Sequence, residues 1–323
     1  MKDYASPFFQ AHQALRSARR VLLVADSKPD GDSIGSTLAM HHWLMREKKE
    51  VALYCEELLP KNLLYLDGSH LFTNDPSVFR NAYDVLVTLD ASDARHAGIA
   101  EHLSRIADGC VLIVFDHHAT NERFGRINAV YTDACATAEV VHRFFDEQRI
   151  AMDDRMATAL FAGITHDTSS FSNGGTTSRG LRAAGDLLSA GARQQEILKY
   201  MLRSKSVAGL RLWGTALSRV THHATYDLAM TYLLPEDLMT VEANEAVDGV
   251  SNFLNAACDG CDAMLVLKDK GDGFVRGSLR SVNRDISKLA KLFGGGGHKK
   301  AAGFVITGRL VEESNRLRIV SHI

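Results

Sequence analysis

Four short aliphatic runs, three of them stopped by an aspartate, constrain this chain more than any other feature. Residues 21–25 (VLLVA) lead into Asp26, residues 85–89 (VLVTL) into Asp90, and residues 111–115 (VLIVF) into Asp116; the fourth run, residues 51–54 (VALY), ends at Cys55. Each run is nearly continuous rather than alternating, as a strand reads when helices cover both faces of a parallel sheet. Helical composition over residues 33–48 and 94–107 lies between them, and strand–helix alternation predicts a doubly wound, mostly parallel α/β domain. Such sheets bind ligands outside the carboxyl ends of their strands, the edge on which these acids fall.

Residues 136–206 read as mostly helical. A second, smaller α/β unit follows, with strands expected at 228–233, 263–267 and 274–279, a helix at 244–257, and a turn in KDKGDG at 268–273. We expect one domain over residues 1–205, ending in a helical linker, and another over 206–323.

The acids are spaced for convergence. The first loop is Asp26-Ser-Lys-Pro-Asp30-Gly-Asp32-Ser-Ile-Gly35, the second is Asp90-Ala-Ser-Asp93, and the third is Asp116-His117-His118. Pro29 and Gly31 hold the first loop tight and non-helical, so alternate acids can converge. Carboxylates brought together repel, so a cation must offset them or their pKa values must rise. Oxygen ligands with one or two imidazoles suit Mn²⁺ or Mg²⁺. One aspartate after a strand reads as a helix N-cap, and the isolated pairs His41-His42 and His222-His223 suggest no function. The coincidence at successive strand ends is what predicts a metal site.

Composition narrows the partners. A net charge of −2 and a pI near 6.7 argue against long duplex DNA, whose binders carry a marked basic excess. The segment MKDYASPFFQAHQALRSARR has no apolar core of a secretory signal, and no run of 18 apolar residues suits a membrane span. The five cysteines (55, 110, 135, 258 and 261) are odd in number and scattered through apolar stretches, as expected of reduced thiols in the cytoplasm. Cys258 and Cys261 have CxxC spacing, but with no second Cys or His pair beside them no zinc site is expected.

Three segments in order resemble the DHH/DHHA1 phosphoesterases: Pro29-Asp-Gly-Asp-Ser-Ile-Gly-Ser36, Asp116-His-His118, and Gly294-Gly-Gly-Gly-His298-Lys-Lys-Ala-Ala-Gly-Phe304. The similarity runs from about residue 18 to residue 306 and is greatest to the bacterial NrnA-like oligoribonuclease/pAp-phosphatase group. The resemblance implies two divalent cations, Mn²⁺ by preference and Mg²⁺ as the second choice. Position 26, Asp30 and Asp90 would hold one; Asp32, Asp90, His117 and Asp167 would hold the other, with Asp90 bridging. Asp167 lies in Gly163-Ile-Thr-His-Asp167-Thr-Ser-Ser-Phe171, which resembles the family's fourth motif with His166 in place of Thr and Ser169 in place of Gly. His118, beside Asp116, would contact the phosphate. From the DHHA1 domain, Arg280, Gly295, Gly296, Gly297 and His298 would hold the nucleotide. Two cations about 3.5–4 Å apart polarise a phosphoryl group and activate water for in-line attack.

The expected reaction is hydrolysis of short oligoribonucleotides (nanoRNA) to mononucleotides, with 3′-phosphatase action on pAp beside it. A c-di-AMP or pApA phosphodiesterase is the alternative, and a nucleotide-binding protein of weakened catalysis is a third reading. Short RNA or a dinucleotide is the expected partner, and a homodimer is admissible though no residue pattern selects it. The third reading rests on position 26, where the family pattern usually has His and this chain has Asp. Five carboxylates against two divalent cations leave one surplus negative charge, which holds metal more firmly but weakens its Lewis acidity. On that reading Asp26→His raises phosphodiesterase activity; unchanged or lower activity at saturating Mn²⁺ would remove it.

Overall fold

The computed structural model describes residues 6–105, 109–202, 206–240, 250–257, 260–281, 283–313 and 316–320. Two compact units divide the chain, Met1–Arg203 and Ser204–Ile323.

The first unit is built on six strands: β1 (Arg20–Ala25), β2 (Glu50–Tyr54), β3 (Phe72–Thr73), β4 (Val85–Leu89), β5 (Val111–Asp116) and β6 (Ile127–Val130). Their order is β3-β2-β1-β4-β5-β6 and every pairing is parallel. The doubly wound parallel sheet expected from the apolar runs is therefore present. Side chains alternate between two apolar layers: Val21, Leu23 and Ala25 face one, Leu22 and Val24 the other. Both layers are buried, which is why the strands read as continuous apolar runs. Strand order reverses between β1 and β4, and a crevice at such a switch point is where these sheets take ligands. Register makes the edge sharper still. Ala25 pairs with Leu89 and Leu89 with Phe115, so Asp26, Asp90 and Asp116 fall on one rung at the carboxyl edge of the sheet.

Helix α1 (Pro7–Ser17) precedes β1, and α2 (Gly31–Arg46) follows it. After β6 come α3 (Thr137–Glu147), α4 (Asp154–Asp167), α5 (Ser178–Ser189) and α6 (Gln194–Leu202). Helices α2 and α4 touch through glycine. A Cβ on Gly35 would lie 2.3 Å from the carbonyl oxygen of Ala159, and one on Gly163 would lie 2.7 Å from Asp32 Oδ1. Any larger residue would push Asp167, at the end of α4, away from the first loop.

Two expectations need correction, and two strands were not expected. Residues 94–107 do not form an α-helix: turns lead to a 3₁₀ segment at Ala100–Arg105, and 106–108 lie outside the described residues. The Asp93 carboxylate takes the backbone N–H groups of Arg95 and His96, and Gly98 adopts φ +65°, so the ladder breaks despite suitable composition. Helix α2 starts at residue 31 rather than 33, because Asp30 caps it, and stops by Lys48 at φ +59°. Strands β3 and β6 went unpredicted, being too short to carry a pattern.

The second unit opens with α7 (Val207–Ser218) and a mixed sheet of β7 (Thr221–His223), β8 (Leu228–Leu233), β9 (Ala263–Asp269), β10 (Phe274–Ser281), β11 (Gly296–His298) and β12 (Ala301–Thr307). The order is β11-β12-β10-β9-β8-β7, with only β8 and β9 parallel. Helices α8 (Val250–Ala257) and α9 (Ser287–Leu292) accompany it, and β13 (Arg309–Glu313) pairs with β14 (Arg316–Val320) as a separate ladder. Of the helix expected at 244–257, residues 244–249 lie outside the described residues, as does Cys258. No helix among the described residues is long and apolar enough to cross a membrane.

The glycine contact yields a stability prediction. Gly35→Ala should destabilise the first unit by about 1–3 kcal/mol through overpacking against the α4 backbone, while Gly214→Ala, whose Cβ would meet nothing within 4 Å, should not. Denaturant unfolding of the two variants checks this.

Candidate metal centre

The loop after β1 delivers its acids through a helix start. Asp30 is the N-cap of α2: its Oδ1 accepts the backbone N–H groups of Asp32 and Ser33, both at 2.9 Å, and its own N–H goes to Ser33 Oγ at 3.0 Å. This capping box engages one carboxylate oxygen and turns Oδ2 toward the α4 end, 3.7 Å from His166 Nδ1.

Asp32, in the first turn of α2, is fully buried. Its Oδ2 accepts the Thr137 N–H at 2.6 Å and its Oδ1 the Ala138 N–H at 2.8 Å. Two N–H groups at the start of α3 thus face an anion, as helix N-termini favour. A carboxylate offers about four lone-pair sites, so both oxygens keep capacity for a cation. Its pKa is pushed up to about 7, first by burial and then by the charge of Asp167.

Asp90 leaves β4 with φ +67°, its N–H bound to the Phe115 carbonyl at 2.9 Å. A non-glycine residue in the left-handed region costs energy, and here the turn aims a carboxylate inward. Asp90 Oδ1 accepts the Thr137 hydroxyl at 2.9 Å and lies 3.7 Å from His117 Nε2. Burial, then the charges of Asp32, Asp30 and Asp167, hold its pKa well above the usual carboxylate range.

Asp116 ends β5 and serves its neighbours. Oδ1 accepts the His117 N–H and His118 Nδ1, each at 2.8 Å, and Oδ2 accepts Asn121 Nδ2 at 2.6 Å. Burial alone would raise its pKa, but the His118 hydrogen bond and charge outweigh it, so the carboxylate stays ionised and orients the ring. His117 Nδ1 lies 3.4 Å from the Ala134 carbonyl and Nε2 lies 3.3 Å from Asp167 Oδ2. Burial works against its charge, yet the Asp167 hydrogen bond and the charge of Asp32 carry its pKa up to about 9.

Asp167, the last residue of α4, presents Oδ2 to His117 and Oδ1 to His166, both at 3.3 Å. Three groups of donor atoms result, each group lying within 4.8 Å: Asp90, His117 and His118; Asp32, His117 and Asp167; Asp30, His166 and Asp167. Oxygen donors with a few imidazole nitrogens fit hard or borderline divalent cations, and the raised pKa values show the charge crowding that a cation would relieve.

Asp26 stands beside these groups and in none of them among the described residues. Its Oδ1 accepts the Lys28 N–H at 2.8 Å, and burial pushes its pKa up to about 6. Two contributors were missed from sequence. Thr137 holds both Asp32 and Asp90, with no motif to signal it. His166 was visible only as a mismatch in the fourth motif.

In the second unit Arg280 sits on β10 opposite Ala301 of β12, which in turn pairs with His298 of β11. Arg280 Nη1 donates to the Leu279 carbonyl at 2.9 Å, and burial pulls its pKa below the ordinary guanidinium value. The glycine run is partly structural. The N–H groups of Gly294 and Gly295 go to the carbonyls of Lys291 and Ala290 at the end of α9. A Cβ on Gly295 would lie 2.1 Å from the Gly303 carbonyl oxygen, and one on Gly297 would lie 2.6 Å from that of Ala301.

Comparison with known proteins agrees with this architecture. Residues 20–164 match the DHH family N-terminal domain and residues 229–319 the DHHA1 domain. The bifunctional oligoribonuclease and PAP phosphatase NrnA of Thermus thermophilus is 31% identical over 282 residues, 87% of this chain and 82% of that protein. The cyclic-di-AMP phosphodiesterase GdpP of Geobacillus thermodenitrificans is 24% identical over 94% of this chain but only 47% of its own length. The crystal structure of an exopolyphosphatase-related protein from Bacteroides fragilis superposes with a TM-score of 0.84 at 23% identity, covering 94% of this chain and 92% of that one.

The shifted pKa values predict how metal-free protein responds to pH. Asp32 has a folded pKa near 7 against an ordinary 3.8, so between these values the folded state binds the extra proton. Its contribution to stability therefore falls as pH rises from about 4 to 7. Metal binding must expel that proton and the one on His117, so affinity should rise with pH from about 6 to 9. Calorimetric titration of Mn²⁺ in two buffers of different ionisation enthalpy should show net proton release at pH 7; none would contradict the crowded, protonated centre.

Proposed function

The chain belongs to the DHH/DHHA1 family and is a hydrolytic phosphoesterase; on that premise we propose that it cleaves short oligoribonucleotides to mononucleotides and removes the 3′-phosphate of pAp. The observation that carries this reading is the likeness along 87% of the chain to a protein named as an oligoribonuclease and PAP phosphatase. The same strand-end carboxylates stand at the switch point of the sheet. We assign Asp30, Asp32, Asp90, His117 and Asp167 to two divalent cations, with Mn²⁺ preferred over Mg²⁺ and Asp26 beside them.

When bound, the cations supply Lewis acidity toward the phosphoryl oxygens and the attacking water. The chain does the rest. Asp116 orients His118 through Nδ1 at 2.8 Å, and in the proposed role His118 Nε2 contacts a phosphate oxygen. The α3 N-terminus and Thr137 hold Asp32 and Asp90 rigid, so little reorganisation accompanies reaction. In the second unit, Arg280 offers a bidentate fork for a phosphate, with Gly295, Gly296, Gly297 and His298 nearby in register. A near-neutral chain suits a short substrate, since long strands require an extended basic track.

A second reading, hydrolysis of c-di-AMP or its linear product pApA, is favoured by the likeness to the Geobacillus phosphodiesterase. Hydrolysis of pApA, longer RNA, pAp and c-di-AMP, side by side in Mn²⁺ and in Mg²⁺, separates the two. Turnover of pApA, RNA and pAp with c-di-AMP left intact is the expected result; c-di-AMP as the best substrate would overturn the first reading. Tight dinucleotide binding without turnover would favour the nucleotide sensor instead. Asp90→Ala should lower kcat about 10³-fold, as loss of metal-borne charge stabilisation implies. Arg280→Ala should raise KM about tenfold or more with a smaller change in kcat.

A further inference from the structure

We propose that His166 is a metal ligand of this centre, supplying an imidazole nitrogen to the ion that Asp30 also holds, and that Asp26 lies outside that ion's donor set. The inference rests on the assignment of divalent cations above and departs from it in naming this residue.

Geometry is the first support. One donor atom each from Asp30, His166 and Asp167 lies within 4.8 Å of the other two, the compactness a single ion requires, whereas Asp26 joins no such group among the described residues. His166 Nδ1 is 3.3 Å from Asp167 Oδ1 and 3.7 Å from Asp30 Oδ2. Asp167 turns its other oxygen to His117, so one carboxylate joins the two donor groups. The backbone is shaped around this ring: a Cβ on Gly31, between Asp30 and Asp32, would lie 2.6 Å from His166 Cβ. The His166 side chain is 43% exposed, which leaves it reachable by an ion entering from solvent.

Charge is the second support. A cage of Asp26, Asp30, Asp32, Asp90, Asp167 and His117 carries five negative charges against two divalent cations. Replacing Asp26 by His166 gives four carboxylates and two imidazoles, and the surplus disappears. Two of the departures from the family pattern, carboxylate for imidazole at 26 and imidazole for hydroxyl at 166, then describe one exchange: the imidazole has moved from the end of β1 to the end of α4.

The competing view makes His166 an internal cation paired with Asp30 and Asp167, which would oppose metal binding. Mn²⁺ titration of the full chain with metal analysis after dialysis separates the two. Wild type should hold two ions. His166→Ala should lose one, or weaken it at least about tenfold, the low end for loss of a supporting group at metal sites, while Asp26→Ala keeps both within about twofold. His166→Cys loaded with Co²⁺ should show thiolate-to-cobalt charge-transfer absorption in the near ultraviolet, and Asp26→Cys should not. The cobalt spectrum reports proximity even if the alanine variant folds poorly. Undiminished or tighter Mn²⁺ binding by His166→Ala, or a charge-transfer band from Asp26→Cys alone, would overturn the proposal. A wild type that binds two ions in that event leaves the two-cation reading intact; a wild type that binds none removes both.

Discussion

The first unit is organised around one buried carboxylate. Asp32 has no exposure to water and is held by two N–H groups at the start of α3. That grip accounts for where α3 begins and for Thr137 reaching Asp90, and it needs a glycine at 163, whose Cβ would lie 2.7 Å from Asp32 Oδ1. A buried charge is tolerable only when hydrogen-bonded and compensated. Hydrogen bonds come from the fold. Compensation must come from protons or from metal.

This choice between proton and cation runs through the whole centre. Asp32 and Asp90 have raised pKa values, whereas Asp116, bound to an imidazole and an amide, and Asp167, hydrogen-bonded to His117 and His166, stay ionised. Residues of one type thus divide by environment: some hold charge for a ligand and one holds a ring in place. Asp93, four residues beyond the end of β4, caps a turn instead. Asp32 and Asp90 have neighbours whose repulsion a divalent ion would remove.

The glycines of the second unit show a related economy. Gly295 and Gly297 lie where no side chain fits, against the backbone of residues 301–304, and the N–H groups of Gly294 and Gly295 close the end of α9. Packing therefore demands two of the four glycines. The run's place beside the Arg280 rung is what makes it relevant to an anion as well.

Periodicity and residue type made much of this protein legible from sequence. The apolar runs announce buried parallel strands because both sheet faces are covered, and acids one residue beyond them announce a site because strand ends share an edge. Local chemistry was less legible where one residue overrides composition, as Gly98 does in ending the turn after Asp93, or where an element is as short as β3 or β6. By itself the sequence determined the parallel sheet and its acidic edge, since those follow from alternation and covalent spacing; Asp30, Asp32, Asp90 and His117 were singled out along that edge by the family resemblance. Only the tertiary structure decided that His166 faces Asp30 while Asp26 stands aside, because α4 and the β1 loop are distant in sequence and meet only through the close approach that Gly31, Gly35 and Gly163 permit.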